Sequence, residues 1–369
     1  MAVSDRLGGF VFPGYNPLEV PNPPTLNSAA ADPSSSVAFT APSEVGGGAI
    51  TSYIALATNT STGATVSVTG ASSPLAFSGL TIGTSYAFTV VAVNAFGPSA
   101  ASNTITQTIA PVEGQQAYTA AGTYSWVAPS GVSSVSVVAV GSGGGGGGGS
   151  DNAAGGGGGL AYGNNISVTA GSSYTVKVGS AAFSTIGLPS FFIGSSSLQG
   201  GGGGLGAYGA TGGVGGTSTG SLRTGGGSGG VGGNGGGFGA GKGGGGGAGG
   251  YSGAGGAGNQ NGAGFSGSGG GGGGGAGGGY GAGGGGVGIL GEGTSGAGGA
   301  VNGSTDARYG GVGGSGGATG GQGYPNDTGT GGNYGGASSG SYVVSAAGAV
   351  RIIWPGDTRS FPSTNTGDV

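Results

Sequence analysis

Few side chains in this chain of 369 residues are of types that carry out catalysis. There is no histidine and no cysteine, and there are only 7 Lys and Arg and 11 Asp and Glu. Zinc sites, Ser-His-Asp triads and Cys-His pairs are therefore excluded. Lys242 is followed by Gly243, so no P-loop is present. The carboxylates Glu292, Asp306 and Asp327 occupy turn-like sequence, and we expect no enzymatic activity, no metal and no cofactor.

The charge balance bounds the partners as well. The net charge is −4, whereas binding of nucleic acid needs clustered Lys and Arg. The longest apolar run, Val135–Val140, is far shorter than the ~20 residues of a membrane-spanning helix. The N-terminus shows no secretory signal. We expect no nucleic-acid partner, no membrane insertion, and release from the cell by lysis.

Side chains suited to binding occur in five polar segments that interrupt the glycine-rich part. Tyr, Asn, Ser and Gly are the adaptable contact residues of binding loops, and loops on a rigid scaffold are frequent binding sites. Tyr faces with Asn, Asp and Thr groups suit sugars. The alternative is that these segments are only polar turns. The candidate contact residues are Asp151, Asn152, Arg223, Asn259, Gln260, Asn261, Asp306, Arg308, Tyr309, Tyr324, Asn326, Asp327, Asn333 and Tyr334.

Residues 1–22 read as an extended N-terminal arm. The segment is apolar, aromatic and interrupted by proline, which disfavours a helix. Phe10, Phe12 and Tyr15 are candidates for docking onto a partner subunit. A frayed terminus is the alternative.

Residues 23–111 have the pattern of an all-β sandwich. β-branched and aromatic runs are separated by Gly, Pro, Ser and Asn at short spacing. The predicted strands are Val37–Thr40, Thr51–Leu56, Ala64–Val68 and Tyr86–Val93.

The end of this region resembles a fibronectin type III domain. The segment from Gly79 to Tyr86, followed by Val91 to Ser99, is similar to the E–F corner, strand F and FG turn of that family. The resemblance implies that Tyr86 is a buried corner tyrosine whose hydroxyl bonds back to the chain, and that Leu80 lies in the core. Phe39 replaces the usual tryptophan, and Ile82 replaces the usual proline. Such domains are mostly spacers.

A second β region is predicted over residues 115–200. Tyr118–Trp126 reads as a strand pair with a turn at Gly122, and the final strand 349–354 is expected to close the sheet from the far end of the chain. Residues 200–340 are then an excursion with its two ends fixed together, followed by a polar tail, 355–369. The other predicted strands are Val132–Val140, Leu160–Val168, Ser173–Val178 and Phe191–Ile193.

Glycine dominates the excursion, since residues 141–369 hold 96 of the 110 glycines. Collagen is excluded because strict Gly at every third position and abundant Pro are missing. A flexible linker is one alternative. The favoured one is a bundle of polyglycine-II helices, whose backbones hydrogen-bond to each other where no Cβ separates them. The candidate flanking apolar layer comprises Leu205, Phe238, Tyr251, Phe265, Tyr280, Val287, Ile289 and Leu290.

Residues 112–369 resemble the glycine-rich domain of bacteriophage tail and fibre proteins, through Val132–Gly141, Gly159–Gly171 and Tyr174–Gly179. The ending Gly348–Gly356 with Arg359–Thr364 is similar to virion proteins of tailed cyanophages. The resemblance implies a non-enzymatic tail-fibre or tail-tip adhesin in the virion, in homo- or hetero-oligomers. Its arm would dock onto other tail or fibre subunits, and its loops would meet a host receptor such as a glycan. The alternatives are a purely structural or decoration subunit and a bacterial surface adhesin.

Overall fold

The computed structural model describes residues 18–31, 35–147, 153–181, 184–207, 211–236, 241–279, 281–302, 307–323, 329–339 and 343–363. The described residues form β-strands, turns and extended segments and no α-helix, and they include no helix that could cross a membrane. The protein is thus all-β, as the sequence predicts. The chain divides into two compact units, Met1–Val112 (unit 1) and Glu113–Val369 (unit 2).

Unit 1 is built from two antiparallel sheets around one apolar core. Alternate residues of its strands are buried, as expected where each sheet has one face on the core. One sheet has the order β1-β2-β5. The other has the order β4-β3-β6-β7, with β8 also paired to β6. The strands are β1 Thr25–Ala29, β2 Ser36–Thr40, β3 Ser52–Asn59, β4 Thr65–Gly70, β5 Leu75–Ala76, β6 Ser85–Asn94, β7 Gly97–Pro98 and β8 Ile105–Thr108.

The predicted tyrosine corner is confirmed. The ring of Tyr86 is buried in the core beside Leu80, and its hydroxyl oxygen accepts a hydrogen bond of 3.2 Å from the Thr81 backbone N–H. Phe39, at the position where a tryptophan is usual, packs against Tyr53 with ring centroids 4.7 Å apart. An aromatic replacement therefore fills the core of unit 1.

Unit 2 contains two larger sheets and a small hairpin. The first sheet has the order β12-β11-β19-β9, and the second has the order β10-β13-β14-β15-β16. β19 pairs antiparallel with both β11 and β9, which confirms that the last strand of the chain returns to this sheet, although it lies inside the sheet and not at its edge. The strands are β9 Gly114–Tyr118, β10 Gly122–Val127, β11 Ser134–Val140, β12 Leu160–Ser167, β13 Ser173–Val178, β14 Ser190–Phe192, β15 Leu198–Gly200, β16 Ser218–Thr219, β17 Val301–Asn302, β18 Ala307–Arg308 and β19 Ala349–Trp354.

The predicted pairing of the two strands within Tyr118–Trp126 is wrong. β9 pairs with β19, whereas β10 pairs with β13 in the other sheet. The chain crosses from one sheet to the other because Tyr118 and Trp126 both pack into the core between them. Shared burial, rather than hairpin pairing, brings these two strands together.

Strand β11 is buried on both faces, which explains its unbroken apolar sequence. Val135 and Val137 face the core between the two sheets. Val138 and Val140 face the opposite way, into a second cluster with Tyr251, Val287, Ile289 and Phe361. The four-stranded sheet therefore has the second sheet on one face and the glycine-rich region on the other.

The glycine-rich region is a set of extended segments, called struts below, that run side by side and hydrogen-bond through their backbones. Much of this region is buried although it has few side chains. Close approach explains this: a Cβ on Gly244 would lie 2.5 Å from the Gly275 carbonyl carbon. The struts are 141–147, 153–160, 201–207, 211–217, 225–234, 242–250, 253–259, 264–268, 271–277, 282–288, 296–300, 309–314, 317–323, 329–334, 335–339 and 343–348.

The hydrogen bonds of a strut rotate among three neighbours, so that every third residue donates to the same one. In strut 153–160 the donors and acceptors are Gly155 to Ser338, Gly156 to Gly204, Gly157 to Gly230, Gly158 to Gly335, Gly159 to Gly201 and Leu160 to Gly227. Strut 271–277, residues 244–250 of strut 242–250 and residues 282–286 of strut 282–288 show the same rotation. A three-residue period differs from the 3.6 residues of an α-helix and the two of a β-strand.

Candidate functional site

The struts have two distinct ends. The sheet end adjoins β11, β12 and β19. There the Leu160 N–H donates to the Gly227 carbonyl, and the Tyr162 N–H donates to the Gly225 carbonyl. The far end lies beyond Gly147, seven residues past the end of β11, or about 20 Å at the rise of extended chain. Backbone hydrogen bonds join consecutive struts near the far end. The Gly147 N–H donates to the Ala153 carbonyl, and the Ala207 N–H donates to the Thr211 carbonyl. The region thus has one end against the sheets and one end away from them.

Aromatic side chains anchor the sheet end. Phe361 stacks on Tyr251 with ring centroids 5.8 Å apart, and Tyr162 lies 5.9 Å from Tyr251. Asn164 holds the Phe361 backbone from both sides, because its side-chain amide donates to the carbonyl and its side-chain oxygen accepts from the N–H. Residues 355–363 therefore fold back over the sheet end.

Charged groups at the sheet end serve the packing. The Arg351 side chain is buried and donates to the Gln115 side chain and to the Ile289 carbonyl oxygen. The Tyr251 hydroxyl donates to the Gly288 carbonyl and accepts from the Gly291 N–H. Burial raises the pKa of Tyr251, and Glu292 raises it further, whereas the Gly291 bond and Arg351 oppose the rise. Burial also raises the pKa of Tyr162.

Five of the candidate contact residues lie together at the far end. Gly244 donates to the Asn259 carbonyl, Ala276 donates to that of Tyr309, and a Cβ on Gly277 would meet the backbone of Gln260. The neighbouring turns therefore meet at this end. The five residues are Asn259, Gln260, Asn261, Arg308 and Tyr309.

The far-end side chains divide into structural and exposed groups. The Asn259 side chain donates to the Ala263 carbonyl and accepts from the Asn261 N–H, so it shapes its own turn. The Gln260 amide donates to the Gly235 carbonyl and links two turns. Asn261 and Tyr309 are exposed. A tyrosine ring and an amide can stack on and hydrogen-bond to a ligand without any charge.

Three candidates lie at the sheet end instead. Arg223 donates to the Ser218 hydroxyl and to the Gly226 carbonyl. Tyr334 packs against the cluster that contains Val287, and Asn333 precedes it. The structure does not bring these residues together with the far-end group. The remaining candidates lie outside the described residues, namely Asp151, Asn152, Asp306, Tyr324, Asn326 and Asp327, with the docking residues Phe10, Phe12 and Tyr15.

The predicted apolar layer is right for only part of its members. Tyr251, Val287 and Ile289 are buried against the four-stranded sheet. Leu205, Phe265 and Leu290 were predicted in the same flanking apolar layer, but they are exposed and do not pack into it. Leu205 and Phe265 lie on surface struts, which rest on other glycine backbones and need no apolar cover. Phe238 and Tyr280 lie outside the described residues.

The surface struts carry a sequence repeat that the polar segments and apolar positions do not reveal. The struts 211–217 and 225–234 read Thr-Gly-Gly-Val-Gly-Gly-Thr and Gly-Gly-Gly-Ser-Gly-Gly-Val-Gly-Gly-Asn. In both, the residues other than glycine recur at every third position and are exposed. An X-Gly-Gly repeat therefore marks a surface strut. Within the described residues, no group of three His, Cys, Asp or Glu side chains could hold a metal ion.

Comparison with known proteins supports the assignment of unit 1. Residues 21–108 match the family model of the fibronectin type III domain, so the chain contains such a domain. No curated protein matches the chain.

Similar solved structures include a crystal structure of titin domains A168-A170, with 31% identity, a TM-score of 0.23, and coverage of 25% of this chain and 33% of that one. Another is the twitchin kinase region from C. elegans, with 20% identity, a TM-score of 0.24, and coverage of 26% and 18%. A third is titin kinase with its flanking domains, with 30% identity, a TM-score of 0.21, and coverage of 23% and 16%. The chain spans a third or less of each of these structures.

Proposed function

We propose that this chain is a non-enzymatic virion protein of a tailed bacteriophage, a tail-fibre or tail-tip adhesin that meets the host cell surface. The fibronectin type III domain is a spacer in this proposal, and the N-terminal arm docks onto other tail or fibre subunits. The far-end turns contact the host receptor, for which a surface glycan is the candidate. The proposal rests on the resemblance of residues 112–369 and on the two-ended shape of the glycine-rich region.

The scaffold that we propose is a polyglycine-II bundle. Its support is the three-residue rotation of hydrogen bonds, since polyglycine II and polyproline II share three residues per turn without internal hydrogen bonds. Backbones packed this closely form a stiff support. Stiffness favours binding, because a preorganised loop loses less entropy when it meets its ligand.

The observation that carries the adhesin proposal is the separation of the two ends. Strands and buried aromatic side chains occupy the sheet end. Exposed polar and aromatic side chains, Asn261 and Tyr309 among them, occupy the far end. A rigid base with adaptable turns at the opposite end is the arrangement of a binding tip.

The test compares exposed residues at the two ends. Tyr309 is 38% exposed at the far end, and Leu222 is 37% exposed at the sheet end. Particles that carry Asn261→Ala with Tyr309→Ala, or Leu222→Ala alone, are mixed with host cells, and the adsorption rate constant is measured. We expect adsorption at least tenfold slower for the far-end variant and unchanged for the Leu222 control.

The outcomes separate the proposal from its rivals. Normal adsorption by intact particles with the far-end variant would overturn the receptor role. Failed particle assembly with that variant would favour a structural or decoration subunit whose turns contact neighbours. Immunogold labelling with antibody to residues 200–340 tests the location: label at tail or fibre tips is expected, and absence of label from particles would favour a bacterial surface adhesin.

A further inference from the structure

Four surface struts lie side by side in a layer one strut thick, called the outer layer below. In order, they are 211–217, 225–234, 253–259 and 264–268. Each is bonded to the next, through Gly229 to Gly216, Gly258 to Val231, and Phe265 to Ala257. The layer rests on the inner struts 153–160, 242–250 and 271–277. The backbone N–H groups of Gly216, Gly230 and Gly256 donate to the carbonyls of Gly157, Gly247 and Gly272, respectively.

The side chains of the outer layer form ridges across the struts. Antiparallel bonding of the first two struts sets Val214 beside Val231 and Thr217 beside Ser228. The bonds of the next two struts set Ala257 beside Phe265 and Ala254 beside Ser268. The central ridge is therefore Val214, Val231, Ala257 and Phe265, and the ridge beside it is Thr217, Ser228, Ala254 and Ser268.

The central ridge is open and apolar. Val214 is 69% exposed, Phe265 59% and Val231 49%. The four struts contain no Asp, Glu, Lys or Arg. A contiguous apolar patch on a neutral face is typical of an interaction surface, whereas single exposed apolar residues need no explanation.

The spacing of the ridges points to the partner. Three residues of extended strut separate neighbouring ridges, about 9 Å at ~3.1 Å per residue. In the first three struts the two residues between ridges are glycines, and in strut 264–268 they are Ser266 and Gly267, so each pair of ridges encloses a shallow trough. A second copy of the same face has the same ridge spacing. When it is shifted along the struts by half of that spacing, its ridges fit into these troughs. We propose that the outer layer pairs with the outer layer of a second copy of this chain, in a two-fold symmetric dimer.

Size and charge agree with this occupant. The four struts hold 29 residues, which at ~3.1 Å per residue and ~4.8 Å spacing cover about 430 Å² per copy. The total of about 860 Å² is in the range of weak, transient interfaces rather than of permanent ones. A face without charges brings no like-charge repulsion when it meets itself. We therefore expect a reversible dimer with a Kd on the order of micromolar.

The experiment is sedimentation velocity of the full chain from about 1 to 100 µM. Val231→Asp places a carboxylate on the central ridge. Val344→Asp is the matched control, because Val344 is also 49% exposed but lies on strut 343–348, which bonds to Gly331 and Gly143 and not to the outer layer. Circular dichroism melting checks that both variants remain folded.

We expect the wild type and Val344→Asp to dimerise with similar Kd. Val231→Asp should dimerise at least a hundredfold more weakly, since two unpaired carboxylates would be buried per dimer. A wild type that stays monomeric at 100 µM would overturn the proposal. So would equal weakening by both substitutions, or a Val231→Asp variant that dimerises as the wild type does. If Val231→Asp does not fold, Val214→Ser serves in its place, with at least tenfold weaker dimerisation expected and an unchanged Kd contradicting the proposal.

Discussion

The close packing of the struts makes a sharp prediction for Gly247→Ala. Gly247 lies in strut 242–250, between Gly256, to which it donates, and Gly230, from which it accepts. A Cβ at this position would fall 2.6 Å from both the Gly272 carbonyl carbon and the Gly273 oxygen, with the Gly272 oxygen closer still. The obstructing atoms are backbone, so no side chain can move aside.

The cost follows from the bonds that the shift would break. Displacing Gly272 loses the bond from its N–H to Ala248, and the bond from Gly256 to its carbonyl. Each buried group left unsatisfied costs about 1–3 kcal/mol. Reduced entropy of the unfolded chain returns about 0.4–1 kcal/mol for a Gly→Ala change. The N–H and C=O of Gly272 together cost about 2–6 kcal/mol, so we expect a net loss of about 1–5 kcal/mol in the free energy of unfolding.

Tryptophan fluorescence during urea unfolding measures this loss in unit 2 alone. The only two tryptophans are Trp126 and Trp354, which pack together in that unit. Gly279→Ala is the control, because a Cβ there meets nothing within 4 Å. We expect the control to lie within ~1 kcal/mol of the wild type. If Gly247→Ala is no less stable than the control, the struts are not packed as described and the reasoning fails.

Three further predictions concern other parts of the molecule. Tyr86→Phe removes the acceptor of the Thr81 N–H and should cost unit 1 about 1–3 kcal/mol; hydrogen exchange should then accelerate in residues 23–111 and not in unit 2, and unchanged exchange would contradict it. Asn164→Ala removes both side-chain bonds to Phe361 and should release residues 355–363 to limited proteolysis, whereas resistance equal to the wild type would show that the aromatic stack alone holds them. The raised pKa of Tyr251 means that the native state holds its proton more tightly than the unfolded chain, whose pKa is about 10. Its contribution to stability is complete below pH 10 and is lost as the pH rises above 10; urea midpoints at pH 8 to 11 should fall less for Tyr251→Phe than for the wild type, and parallel falls would refute this.

The strands of both units could be predicted because the pattern of apolar residues in each strand reflects which of its faces are buried. β6 alternates and has one buried face, and β11 is apolar throughout and has two. The pairing of β9 and β10 could not be predicted, because adjacent strands joined by a short turn form a hairpin unless a shared core draws them into different sheets.

The sequence predicts the turns that form the far-end group, but it does not predict which turns lie at that end. Turn-like sequence identifies where a strut ends, but the end to which a turn belongs depends on how many times the chain has already crossed. The turns that contain Asn259 and Arg223 therefore have similar polar sequences, although they lie at opposite ends of the struts. Counting X-Gly-Gly repeats would have fixed the crossings of struts 211–217 and 225–234, since each has a defined length.

The central position of β19 in its sheet has a consequence for synthesis on the ribosome. The strand lies between β11 and β9, and the Ser136 hydroxyl donates to the Gly356 carbonyl, 220 residues further along the chain. Until β19 emerges, the β9 and β11 edges that it covers stay unpaired, and such edges invite association between nascent chains. Contacts of such sequence separation also slow folding. Translation stopped before residue 349 should therefore yield an insoluble product rather than a shortened fold.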